Sequence, residues 1–119
     1  MLTITTCRTY PQPPQNLLPL ADILNRQSVP TRFDIWQNRP AAPFLLPLCA
    51  WDYAAEPQAF CRWLDDAEKS GQRFVNPPPL MRWNMNKKYL CDLAAWGADV
   101  ILSVFVPPEN QAVRNILRE

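Results

Sequence analysis

Residues 76–97 read NPPPLMRWNMNKKYLCDLAAWG, and the rest of the chain is organised around them. The stretch opens on an Asn76-Pro77 break, because proline has no amide N–H and biases its predecessor away from helix. It then passes a basic and aromatic knot, Arg82-Trp83-Asn84, and enters a helix. The pattern predicts a short helical turn over Pro78 to Arg82. A second helix follows, capped by Asn84 or Asn86, with Lys87 and Lys88 in its first turn. It ends at Trp96 and stops on a left-handed Gly97.

Upstream, RFV at 73–75 reads as a short strand, and Glu56 to Ser70 as the clearest helix. Pro57 suits the first position of that helix, Phe60, Trp63, Leu64 and Ala67 form one apolar stripe, and Gly71 stops it. Its charge run Asp65, Asp66, Glu68, Lys69 reads as a solvated face. Phe44 to Leu48 is an apolar run suited to a strand covered on both faces. Pro47 cannot donate to a ladder, so the strand either lies at an edge or breaks there. Trp51-Asp52-Tyr53 follows the carboxyl end of this strand, where open α/β sheets bind ligands. RFDIW at 32–36 alternates like a half-buried strand. Leu17 to Arg26 is a helix with Leu17, Leu20, Ala21 and Leu24 on one face, and LTITT at 2–6 a first strand. Downstream, Val100 to Val106 reads as a strand and Asn110 to Arg118 as a last amphipathic helix. Strands alternating with helices in this order predict an α/β fold, a mostly parallel sheet with helices on its faces.

Composition narrows the chemistry. The chain has 119 residues, 48% hydrophobic and 19% charged, enough for one compact domain and not for two. Twelve basic and eleven acidic residues leave a charge of +1, which gives no general draw toward nucleic acid or an anionic membrane surface. The apolar runs are far shorter than a membrane span of roughly 20 residues. No basic-then-apolar leader opens the chain, so the expectation is a cytoplasmic protein. The 14 prolines fall between the periodic segments as punctuation.

The four cysteines, at 7, 49, 61 and 91, have no metal-knuckle spacing, and histidine is absent. They read as small buried apolar residues. Without histidine, Ser-His-Asp and Cys-His nucleophiles are excluded, with most zinc hydrolysis. The sequence nominates no catalytic residue and no metal ligand. An enzyme built on this chain would use carboxylates, lysine, arginine, backbone amides or a bound metal–nucleotide.

Residues 51–97 also carry a longer pattern: WDY, then F..WL, then G..F.NPP.L.RWN..K.YL..LA..G. This resembles the N-terminal part of ATP-grasp proteins related to glutathione synthetase, and more closely the branch that includes the cycloserine-biosynthesis ligase. The resemblance covers about residues 44 to 106 well and the first 40 loosely. RWN-x-x-K-x-YL at 82–90 is its most specific piece.

The resemblance implies a Rossmann-like pre-ATP-grasp domain over 1–119, with 84–119 leading toward an ATP-grasp domain that is missing. It implies that Lys87 approaches nucleotide phosphates, a mobile cation where helix N–H groups already favour anions. From spacing alone, Lys87 and Lys88 are an ordinary exposed pair. Arg82, Trp83 and Asn84 would fix the phosphate-side loop or contact substrate. Their structural alternative is an Asn cap, a Trp on the sheet edge and an Arg stacked over it. Trp51, Asp52 and Tyr53 would shape a substrate pocket, with Asp52 binding an amine. The alternative is a turn held by an Asx hydrogen bond, with two rings covering the core. Trp63, Trp96, Phe60, Tyr89 and Leu90 read as core.

Three positions depart from the family: Leu48 replaces a common arginine, Asn86 an acidic residue, and Leu102-Ser103 a Pro-Thr pair. ATP and Mg2+ are implied for full-length relatives, which bind ATP between later subdomains and form an acyl-phosphate that an amine attacks. Two glycines, both at helix stops, make no phosphate-cradling loop. The expectation is therefore the N-terminal part of an ATP-dependent carboxylate–amine ligase, inactive alone, partnered by its ATP-grasp half or by itself. The alternative is a small non-enzymatic α/β binding or interaction module.

Overall fold

The computed structural model describes residues 1–103. Strands β1 (Leu2–Thr6), β2 (Thr31–Ile35), β3 (Phe44–Leu46) and β4 (Arg73–Phe74) form one sheet in the order β2-β1-β3-β4. Every pairing is parallel, with Leu2 opposite both Thr31 and Phe44, and Phe44 opposite Arg73. The helices are α1 (Leu18–Arg26), α2 (Pro57–Lys69), α3 (Pro78–Met85) and α4 (Tyr89–Ala95). The chain moves from β1 through α1 to one side, and from β3 through α2 to the other. Right-handed crossovers of opposite direction place the two helices on opposite faces. The expected α/β architecture with a parallel sheet is the observed one.

The chain divides into two compact units, residues 1–85 and 86–119. In the first, α2 supplies the core through Phe60, Trp63, Leu64 and Ala67, all buried, as its periodicity predicts. Each such large side chain contributes roughly 1.5–3 kcal/mol on burial. Trp36, Phe60 and Trp63 stack with centroids 5.2 to 5.8 Å apart, and Phe74 meets Trp63 edge-on at 5.3 Å. Gly71, at φ +80°, turns the chain out of α2, a conformation that only glycine adopts without strain.

Several expectations need correction. The strand covered on both faces is β1, all five residues of which are buried, whereas Phe44 of β3 is exposed. Its threonines hid this role, yet they fit a β surface and two find partners. Arg32 Nε donates to Thr3 Oγ1 at 3.3 Å, and Thr6 Oγ1 donates to the Pro11 carbonyl at 3.1 Å. β3 is internal and breaks before Pro47, because that residue has no N–H to pair. β2 ends at Ile35, and Trp36 opens a 3-10 turn that buries its ring.

In α3 the helix runs one turn past Arg82 and encloses Asn84, which therefore caps nothing. Asn86 does not cap α4 either: its Oδ1 accepts from the Lys88 N–H at 3.0 Å in the turn ahead of the helix, and the N-cap position, Lys88, makes no side-chain cap bond. α4 begins only at Tyr89, so Lys87 and Lys88 stand in the turn ahead of it. Trp96 is 72% exposed instead of core, and Tyr89 and Leu90 are half-buried. Of the cysteines, Cys7 and Cys49 are buried, Cys61 is half-buried and Cys91 exposed. The charge run on α2 is, as expected, its solvated face: Asp65, Asp66, Glu68 and Lys69 are exposed, Asp66 pairing with Arg39 at 2.7 Å and Asp65 with Arg82. No strand forms over 100–103; the rest of the strand expected to 106, and the helix at 110–118, lie outside the described residues. Among the described residues no helix is long and apolar enough to cross a membrane.

Candidate functional site

Parallel strands end together, so the loops leaving β1, β2 and β3 meet at one end of the sheet. Asp52 ties them. Its residue stands in the 3-10 turn Trp51–Ala54 after β3. Oδ1 accepts from Trp36 Nε1 at 2.7 Å, beyond β2, and Oδ2 from Gln37 Nε2 at 2.8 Å. Oδ2 also accepts from the Thr9 N–H and Oγ1, each at 3.3 Å, beyond β1. Burial works to raise the Asp52 pKa, but the bonds from Trp36, Gln37 and Thr9 outweigh it and hold the carboxyl below the ordinary aspartate value. The carboxylate is thus an ionised brace for three loops.

On either side of it stand the motif aromatics. Trp51 is half-exposed, edge-on to Tyr10 at 5.8 Å. Tyr53 leans on Phe60 at 5.4 Å and packs against the core. Both line a crevice of about 140 Å³ at the carboxyl end of β3, together with Leu48, Asn76, Met81 and Asn84. α3 closes it, because the Asn76-Pro77 break lets that helix fold back over the strand end. The result is an apolar slot with two primary amides.

The structure thus gathers Trp51, Tyr53 and Asn84 around one opening. It sets Arg82 elsewhere: Nη2 contacts Asp65 and donates to the Cys61 carbonyl at 3.3 Å, both on α2. Lys87 belongs to the second unit, its Nζ 5.3 Å from the Tyr89 ring centroid. Leu48 adds an apolar side chain to the crevice wall. A larger cavity, about 620 Å³, touches Pro43, Gly71 and Gln72 and so lies at the amino end of the strands, away from these residues.

Thr9, Gln37 and Met81 escaped the sequence reading, which took Asn76 only as a break before Pro77. The available signal was topological: in a parallel sheet, residues just past each strand share one rim.

A single-sheet parallel α/β domain with its crevice at the strand carboxyl ends is the class this geometry defines. Residues 2–76 match the family described as D-cycloserine synthetase DcsG, N-terminal domain, and the chain belongs to that family. It is 36% identical over 78 residues to the cycloserine biosynthesis protein DcsG of Streptomyces lavendulae, covering 66% of this chain and 25% of that protein. The crystal structure of D-cycloserine synthetase DcsG superposes with a TM-score of 0.77 at 25% identity, over 98% of this chain and 41% of that one. The chain therefore spans about a quarter of the curated relative.

Proposed function

We propose that this chain is the N-terminal part of an ATP-grasp carboxylate–amine ligase whose turnover belongs to a longer polypeptide. One observation carries the reading: a chain matching the N-terminal domain of DcsG has its motif residues Trp51, Tyr53 and Asn84 on one crevice at the strand ends. In this reading the crevice takes the organic substrate. Trp51 and Tyr53 wall its apolar part and exclude water, while the Asn76 and Asn84 amides offer a donor and an acceptor each. Asp52 is a positioning residue here, since protein donors already occupy both its oxygens.

Bound ATP and Mg2+ would supply the activation of a carboxylate as an acyl-phosphate. The described residues do not by themselves fit a magnesium nucleotide. No group of three cysteine, aspartate or glutamate residues among them could hold a metal ion, and Arg82 is held by Asp65. No step through the nucleotide follows from them; the ATP-grasp half is the proposed partner that provides it.

The test is substrate-dependent ADP release by residues 1–119 alone and joined to the remainder of the Streptomyces lavendulae protein. The chain alone is expected to be silent and the joined protein active. In the joined protein, Trp51→Ala should raise the KM for the organic substrate about tenfold, the equivalent of about 1.4 kcal/mol. A joined protein that folds yet releases no ADP sinks the ligase reading and leaves the non-enzymatic binding module.

A further inference from the structure

We propose that a second cleft, between the carboxyl ends of β1 and β2 and the first turns of α2, binds a small oxyanion (a carboxylate or phosphate group) through Arg8 and Arg62. The cleft measures about 170 Å³ and is lined by Arg8, Gln37, Arg39, Glu56, Arg62 and Trp63, among others. It does not depend on the ligase reading.

Charge is the first argument. Arg39 is committed to Asp66 at 2.7 Å. Among the described residues, the guanidinium groups of Arg8 and Arg62 have no hydrogen-bond or ion-pair partner. Glu56 is the one carboxylate on the lining, so with Arg39 paired to Asp66 the two unpaired arginines, Arg8 and Arg62, outnumber it. A guanidinium fork matches the oxygens of carboxylate and phosphate, and a concave, part-apolar wall concentrates its field.

A second argument is an orphan donor. Trp63 is 2% exposed, and its buried indole N–H has no acceptor among the described residues. Trp63 lines this cleft and also the larger cavity at the amino end of the strands, and an acceptor for its N–H needs lone pairs, which an anion carries and a cation does not.

The site is also preorganised. The Arg8 backbone N–H donates to Gln37 Oε1 at 3.1 Å, and Gln37 Nε2 donates to Asp52 at 2.8 Å, so Arg8 is tethered to the brace that joins the strand ends. Size limits the ligand: at about 30 Å³ per water the cleft holds roughly six waters, room for one oxyanion with a short tail and not for a nucleotide.

The test is a titration of the protein with inorganic phosphate and, separately, with acetate at constant ionic strength, followed by NMR of the Trp63 indole N–H and the Arg8 and Gln37 amides. Saturable shifts are expected with at least one anion, at an apparent Kd of about 1–10 mM. The anion that saturates at lower concentration identifies the source. Arg8→Gln and Arg62→Gln should each weaken binding about tenfold, the equivalent of about 1.4 kcal/mol, whereas Trp51→Ala, on the other crevice, should change nothing. Arg62→Lys keeps the charge without the fork and should recover part of the loss. Linear, non-saturating shifts with both anions overturn the proposal, as do saturable shifts indifferent to both arginine variants.

Discussion

The indole N–H of Trp36 donates to Asp52 Oδ1 at 2.7 Å, joining the turn after β2 to the turn after β3 across the strand ends. The tryptophan ring is buried in the core while the carboxylate gathers donors from the loops after β1 and β2. One residue therefore couples the hydrophobic core to the geometry of both crevices.

Removing that acceptor should be costly. Asp52→Ala leaves the buried Trp36 N–H without a partner and frees Gln37 and Thr9, a loss of about 3 kcal/mol by the usual penalty for orphaned buried donors. Asp52→Asn keeps one acceptor oxygen and should lose about half as much. Urea unfolding midpoints measure both, and a change below about 0.5 kcal/mol for Asp52→Ala contradicts the bracing role.

Acid should act through the same carboxylate. Its folded pKa lies below the ordinary aspartate value, so its stabilising contribution is complete above the unfolded pKa of about 4 and is lost as pH falls through the folded pKa. Stability of the native chain should drop below about pH 4 more steeply than that of Asp52→Asn. Parallel curves for the two proteins between neutral and acid pH would rule this out.

Arg82 and Asp65 form an ion pair whose side chains are 32% and 51% exposed. Solvent screening limits such a pair to about 0.5–1 kcal/mol. A double-mutant cycle with Arg82→Gln and Asp65→Asn should return a coupling in that range, and one near zero would show that the two do not hold α3 to α2.

Gly71→Ala tests backbone strain in isolation. A Cβ there meets nothing within 4 Å, yet φ is +80°, so the variant should lose about 1 kcal/mol from the left-handed conformation alone. Asn, which tolerates that region, should lose less. Equal thermal midpoints for Gly71→Ala and the parent would refute the argument.

Thiol labelling should follow burial. Burial, then the neighbouring Cys7, raise the Cys49 pKa, and the thiolate is the reactive form. A disulfide reagent should label exposed Cys91 quickly, Cys61 slowly, and Cys7 and Cys49 only on unfolding. Rapid labelling of Cys49 in native conditions would contradict its placement.

Local patterns carried much of this fold. The α2 stripe Phe60-Trp63-Leu64-Ala67, its Gly71 stop and the LTITT strand are legible because period and punctuation are properties of neighbouring residues. The resemblance around WDY led to the family, whose match spans residues 2–76, and Trp51 and Tyr53 line one crevice with Asn84. The lack of histidine in these 119 residues is likewise read from the sequence alone, since composition does not change on folding.

Tertiary structure decided the rest, because it depends on contacts between distant residues. Threonine-rich β1 became the strand buried on both faces only through neighbours on each side. Arg82 went to Asp65 of α2 because α3 extends one turn further than its prolines suggest. Asp52 became a brace because Trp36, Gln37 and Thr9 reach it from two other strand ends, partners that no spacing rule connects. A carboxylate's role is set by which donors surround it, and only the folded chain brings those donors together.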